Sequence, residues 1–184
     1  MSELRWLAFD TSTDVLSLAV ARGDRVWTQT LPGGAQSSSG LIPAVLSMLA
    51  EADMPLASLT AIVFGRGPGS FTGLRTACAV AQGLAFGADI PVLPVDTLVV
   101  VAEEARWQRV QAGSADTDVS VLALLDARMD EVYSAAYQWT VASQSWQGLS
   151  ALQVSAPQQV QFTADVLAGN VFEAYGPRLL AQGE

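Results

Sequence analysis

Residues 10–13 read Asp-Thr-Ser-Thr, a carboxylate followed by hydroxyls, directly after an apolar run at 6–9. A carboxylate at a strand end can hold a divalent cation, and the hydroxyls and amides behind it can face phosphate. The same residues also make an ordinary turn, because Asp, Ser and Thr side chains bond nearby backbone. Asp126 follows a second apolar run and can complete a pair of carboxylates. Residues 65–70, Gly-Arg-Gly-Pro-Gly-Ser, join an apolar run to a long helical pattern. Backbone amides in such a loop can cradle an anion, with Arg75 one turn further on either assisting or pairing with an acid elsewhere. No Gly-Lys-Ser/Thr follows and the third glycine of GxGxxG is missing, so the loop is also a tight turn in which Pro68 fixes one dihedral. Asp10, Thr11, Ser12, Gly67, Gly69 and Ser70 are the candidates for a nucleotide or anion site, vestigial or intact.

Histidine is absent. That excludes Ser-His-Asp and Cys-His catalysis and any imidazole metal ligand. No catalytic residue, metal ligand or cofactor is assigned. Cys78 is the one cysteine; it lies among alanines and reads as a small buried thiol, with no histidine to activate it. A lone cysteine forms no intrachain disulfide, in keeping with a reducing compartment. Nine Lys and Arg oppose eighteen Asp and Glu, for a formal net charge of −9. Such a chain is repelled by a phosphate backbone, so any nucleic acid involved is expected to be held by another subunit. The opening MSELRWLAFD turns polar too soon for a signal peptide, and no apolar run has the length of a membrane span, which leads to a cytoplasmic expectation and no membrane partner.

The elements that must position these groups follow from pattern. Residues 6–9, 15–21 and 25–31 read as strands, with a hairpin turn at Gly23 and Asp24. A Gly/Ser-rich stretch at 32–40 precedes a helix at 41–51, where Pro43 fits only the first turn. A strand at 61–64, a helix at 71–86, a strand at 91–95 and a helix at 97–108 follow. Beyond a polar segment at 111–118, strands are expected at 119–125, 132–140 and 149–154, with a turn at 126–130 beside which Met129 and Tyr133 pack. A helix is expected at 157–167 from its proline, then a strand entering an unfinished helix over 171–180. Neither a Rossmann half nor a β-sandwich has this order; the α/β actin-like ATPase (ribonuclease H-like) fold does, with a β-meander followed by alternating helices and strands. Two small lobes are expected, 1–108 carrying partner-binding helices and 109–184, the second cut short.

Apolar residues make up 51% of the chain and charged residues 15%, rich enough that part of the apolar surface should be covered by a partner. Gly73, Ala77, Ala81 and Ala85 recur every four residues as a row of small side chains, and few polar residues interrupt that helix. Leu41, Val45 and Leu49 form one row of the preceding helix, Ile42 and Leu46 a second. The first-named rows of each helix, Leu41, Val45, Leu49, Gly73, Ala77, Ala81 and Ala85, are the expected partner-binding residues. A large charged residue at Ala77 or Ala81 is expected to abolish pairing while the lobe still folds. Trp27, Trp107, Trp139 and Trp146 form no stripe and require no ligand.

These residues carry a likeness. LAFDTSTDVLSLAV at 7–20, LIPAV at 41–45, FGRGPGSFTGLRTACAVAQGLAF at 64–86 and LLDARMDEVYSAAY at 124–137 resemble the bacterial TsaB (YeaZ-type) family, with a looser match at GNVFEAYG, 169–176. The resemblance implies a subunit of the tRNA threonylcarbamoyladenosine machinery without a working catalytic centre. It implies a heterodimer with the TsaD transferase through the N-terminal helices, TsaE joining that pair, a homodimer in isolation, and tRNA reached only through the complex. The TsaD pattern binds its metal through histidines, which are missing here. Two departures stand out: Ser37-Ser38 occupies the place of a His-Ser pair, and members usually continue past this chain's end with a further helix. The alternative is an actin-like ATPase or phosphotransferase using Asp10 and the loop at 65–70.

Overall fold

The computed structural model describes residues 3–161 and 163–180. It divides into two compact units between Thr97 and Leu98; the expected lobe boundary at 108/109 lies toward the far end of the helix that follows this division.

The first unit is built on five strands, β1 (Arg5–Asp10), β2 (Val15–Arg22), β3 (Arg25–Pro32), β4 (Ala61–Gly65) and β5 (Val92–Val95), in the order β3-β2-β1-β4-β5. β1, β2 and β3 form the antiparallel meander, whereas β4 runs parallel to β1 and β5 to β4. Alternation is clean in the meander: Leu7 and Phe9 of β1 and Leu16, Leu18 and Val20 of β2 point to one buried face. Two helices cover that face, α1 (Ser37–Glu51) and α2 (Phe71–Ala88).

Helix α1 begins at Ser37, four residues before the sequence pattern suggests, directly after a 3-10 turn at Gly34–Gln36. The Ser38 and Ser39 hydroxyls donate to the Ala35 and Gln36 carbonyls, so polar residues continue the turn where an apolar period is not yet visible. Pro43 therefore lies inside the helix rather than in its first turn. Ser39 and Pro43 are both exposed, so water can take the carbonyl that the proline leaves without an i→i−4 partner. Helix α2 is capped by Ser70, whose hydroxyl accepts from the Gly73 amide at 3.4 Å, and ends on Asp89 in the left-handed region at φ 55°.

The second unit holds α3 (Thr97–Gln111, which opens with the last residue of the first unit), β6 (Val119–Arg128), β7 (Glu131–Thr140), β8 (Ser145–Gly148), β9 (Gln153–Ser155), β10 (Val166–Gly169) and α4 (Phe172–Leu180). Its sheet order is β10-β6-β7-β8, with β9 also paired to β7. Of the expected strand at 149–154, residues 149–152 are loop and only the last two belong to a strand, β9, while β8 precedes the expected range. The expected helix at 157–167 is a 3-10 turn at Pro157–Gln159 followed by a strand parallel to β6. A proline suited to opening a helix also opens a single 3-10 turn. Strand β6 is buried on both faces. Val119, Val121, Ala123 and Leu125 join Leu98 and Ala102 of α3, while Leu122 and Leu124 join Val160, Val171 and Leu179. Two covered faces account for its nearly unbroken apolar run.

Candidate functional site

The first candidate site sits at the ends of β1 and β4. The Asp10 carboxylate has both oxygens engaged. Oδ1 accepts from the Ser12 amide at 2.7 Å and from the Ser12 hydroxyl, and Oδ2 accepts from the Thr97 hydroxyl at 3.1 Å. Thr11 is fully buried and its hydroxyl donates to the Gly73 carbonyl at 2.7 Å. The Ser70 amide donates to the Ser12 carbonyl at 2.6 Å, and the Thr97 amide to the Gly67 carbonyl at 2.9 Å. The structure therefore brings Asp10, Thr11, Ser12, Gly67, Gly69 and Ser70 together, but as two loops bonded to each other.

The glycines serve this mutual approach. A Cβ on Gly69 would lie 2.5 Å from Ser12 Cβ, and one on Gly65 would lie 1.8 Å from Asp10 Oδ2. Gly69 also stands at φ 158° and Gly67 at φ 103°, the latter a region that side chains rarely adopt. Of the loop donors, the Ser70 amide is already used inside the protein, and the Thr11 and Ser12 hydroxyls donate to protein acceptors. The Arg75 guanidinium lies over the Phe71 ring, 3.6 Å from the centroid.

A metal of the kind an actin-like phosphotransferase uses does not fit these residues. Asp10 already has protein donors on both oxygens, imidazole ligands do not exist in the chain, and among the described residues no group of three or more Asp, Glu, Cys or His side chains is placed to hold an ion. In the second unit Asp126 is likewise committed. Its Oδ1 accepts from the Arg128 amide at 2.8 Å and the Tyr175 hydroxyl at 3.1 Å, and its own amide donates to Asn170 Oδ1 at 3.0 Å.

The second candidate site is the helical face, and here the expected residues need correction. Leu41, Val45, Leu49, Gly73, Ala77, Ala81 and Ala85 are all buried in the first unit's own core. The reason is steric: a row of small residues lets α2 lie close on the sheet and on α1, so that row is the inward one. Consequently a charged residue at Ala77 or Ala81, both 0% exposed, would enter the core and is not a clean probe of pairing.

The row left outward on α1 is Ile42 and Leu46, 43% and 54% exposed. On α2 it runs Phe71, Arg75, Ala79, Gln82 and Phe86, of which Phe71 is 68% and Phe86 93% exposed. Four large apolar side chains thus stand in water on two helices that pack side by side. Sequence pattern singled out Ile42 and Leu46 as a second row but not Phe71, whose place at the first position of α2 has no periodic signal. Cys78 is half-buried.

Two further features of the second unit were not visible in sequence. Met129, expected to pack, is 93% exposed at the tip of the β6–β7 hairpin. Arg106 of α3 ties a cluster together. It donates to Glu103 through two nitrogens, at 2.7 and 2.9 Å, and to Asp116 at 2.7 Å, and it lies 4.2 Å over the Trp139 ring. Trp146 donates to Glu103 at 2.9 Å and packs 5.5 Å from Trp139. The hydrogen bonds from Arg106 hold the Glu103 carboxyl below the usual range, against a smaller opposing effect of burial, and they raise Arg106.

Among the described residues no helix is long and apolar enough to cross a membrane.

Comparison with known proteins bears on both sites. Residues 32–164 match the family model described as TsaD: tRNA N6-adenosine threonylcarbamoyltransferase. The tRNA threonylcarbamoyladenosine biosynthesis protein TsaB of Haemophilus influenzae is 38% identical over 166 residues, 86% of this chain and 67% of that protein. TsaB of Escherichia coli K12 is 36% identical over 166 residues, 90% of this chain and 68% of that protein. The chain thus spans about two thirds of the length of these relatives. The solved structure of YeaZ from Pseudomonas aeruginosa superposes with a TM-score of 0.84 at 36% identity, covering 97% of this chain and 80% of that one. This agrees with the actin-like α/β architecture read from the element order.

Proposed function

The chain belongs to the TsaB (YeaZ-type) family, and from that premise we propose that it is a non-catalytic subunit that binds and supports the TsaD transferase. That enzyme forms N6-threonylcarbamoyladenosine beside the anticodon of tRNAs reading codons that begin with adenine. The observation that carries the reading is the exposure of Ile42 and Leu46 on α1 and of Phe71 and Phe86 on α2, two helices packed on the same core. Aromatic and aliphatic side chains of this kind form the desolvated centre of protein interfaces. In isolation the same face is expected to join two copies, and TsaE is expected to meet the TsaB–TsaD pair rather than this chain alone.

The family model that matches describes a transferase, and its chemistry is assigned here to the partner. The Asp10 carboxylate is engaged by Ser12 and Thr97, the Ser70 amide by the Ser12 carbonyl, and no imidazole is available for a metal. The alternative of an actin-like ATPase is less well served by this geometry, because the Asp10 carboxylate, the Thr11 and Ser12 hydroxyls and the Ser70 amide already face protein. With a net charge of −9, contact with tRNA falls to other subunits. The test is reconstitution of tRNA modification from purified components with and without this chain. Product formation that depends on the chain supports the proposal, and equal product without it overturns it.

A further inference from the structure

The outward row of α2 is only as well placed as the helix that carries it, and one buried contact fixes that helix at its N-terminal end. The Thr11 hydroxyl donates to the Gly73 carbonyl at 2.7 Å, joining the loop after β1 to the first turn of α2. Thr11 is fully buried, so water does not compete. A Cβ on Gly73 would stand 1.8 Å from the Thr11 carbonyl oxygen and 2.9 Å from its carbon. Both neighbouring atoms are backbone, which cannot swing aside as a side-chain tip can. The two other glycines of α2 differ sharply: a Cβ on Gly83 or Gly87 meets nothing within 4 Å.

Helix interiors disfavour glycine, and of the three only Gly73 has a steric reason to be one. Nearby, the Ser70 amide donates to the Ser12 carbonyl at 2.6 Å, and Gly69 leaves no room for a side chain against Ser12. The loop after β1 therefore grips the start of α2 at two points.

We propose that the Thr11–Gly73 contact sets the seating of α2 on its sheet and so the reach of Phe71, Arg75 and Phe86 toward the partner. Gly73 and Thr11 are positioning residues for the binding face, although both are buried and neither touches a partner. This rests on the reading of α1 and α2 as the TsaD-binding face. Adding one methyl at Gly73 pushes the first turn of α2 away from the Thr11 carbonyl. A rigid helix carries that displacement along to its outward residues, and an interface matched in shape loses affinity from such a shift.

The experiment is a calorimetric titration of the chain with TsaD of the same organism, every variant first checked for a cooperative thermal transition above the titration temperature. Leu46→Asp tests the face itself. Gly73→Ala is expected to weaken binding at least tenfold, Gly87→Ala to stay within twofold, Thr11→Val to weaken it severalfold and Thr11→Ser, which keeps the hydroxyl, to restore most of the loss. A general loss of stability would not give this pairing of Val and Ser effects at a temperature where all are folded. If Leu46→Asp binds as the wild type does, the binding-face reading fails. If Leu46→Asp abolishes binding while Gly73→Ala and Thr11→Val both stay within twofold, the positioning role is overturned. Should Gly73→Ala not fold, Thr11→Val against Thr11→Ser decides alone.

Discussion

The Thr97 hydroxyl donates to Asp10 Oδ2 at 3.1 Å while the Ser12 amide donates to Oδ1 at 2.7 Å. One carboxylate thus ties the end of β1 to its own loop and to the first residue of α3. Asp10→Ala would leave the Ser12 amide and the Thr97 hydroxyl without their acceptor in a part-buried site. The expected cost is about 1–3 kcal/mol of stability, measured by urea unfolding. In reconstituted modification, Asp10→Ala is expected to change activity far less than disruption of the helical face. Titration of MgATP into the wild type is expected to give no saturable heat; a saturable signal lost in Asp10→Ala would return the site to nucleotide binding.

Core and surface rows of the same helices should separate cleanly. Ala81→Glu places a charge where the wild-type side chain is fully buried, and is expected to unfold the first unit, because an unpaired buried charge costs more than a domain's margin of stability. Leu46→Asp and Phe86→Asp change exposed positions, and each is expected to alter stability by no more than about 0.5 kcal/mol. Circular dichroism melts of the three variants check this contrast.

Acid should loosen the second unit through Glu103. Its carboxyl titrates below the ordinary range because Arg106 hydrogen-bonds to the ionised form. A depressed folded-state pKa contributes stability that is present above the unfolded value, roughly pH 4, and is lost as pH falls through the folded one. The thermal midpoint should therefore fall between about pH 5 and pH 3, and Glu103→Gln should make that fall shallower. The side chain is 42% exposed, so solvent screening keeps the effect small. A steeper acid dependence in Glu103→Gln would contradict the assignment.

The β6–β7 hairpin holds Arg128, Met129 and Asp130 at φ 65°, 52° and 65°. Left-handed backbone costs a side-chain-bearing residue roughly 1 kcal/mol, and Met129 makes no compensating burial. Arg178 pairs with Asp130 and bonds Gln158 at 2.7 Å, which holds the turn from outside. Met129→Gly is expected to raise unfolding free energy by up to about 1 kcal/mol, read by chemical denaturation; a loss of stability would mean that the methionine packs in solution.

What could be read from sequence and what could not follow one physical line. Strands β1, β2, β4 and β6 announce themselves because one or both faces are buried and the pattern of apolar residues records it, whereas β3, with no buried residue, is marked by the hairpin turn at Gly23 and Asp24. Helix α1 hides its first turn because Ser37–Gly40 is held by hydroxyls and a preceding 3-10 turn rather than by apolar contacts. The expected helix at 157–167 runs into the first two residues of β10 because Pro157 opens a helix and a 3-10 turn equally well, and because a parallel pairing to β6 leaves no local trace. For the candidate face, periodicity identifies which residues share a row but not which row meets the sheet. Leu41 with Val45 and Ile42 with Leu46 are equally apolar, and only the sheet's position decides between them. The Asp10 loop was legible as a cluster, and its turn bond to Ser12 follows from the residue types. The bonds from Thr97 to Asp10 and from Ser70 to Ser12 were not legible, since those partners are far along the chain, Thr97 by 87 residues.

The central claim, that this chain works by presenting α1 and α2 to TsaD, is tested most directly by light scattering of the two proteins mixed at equal concentration. Wild type and the double variant Leu46→Asp/Phe86→Asp are run side by side. The account predicts a one-to-one complex for the wild type and two separate components for the variant, each still folded. A variant that forms the complex as fully as the wild type would contradict it.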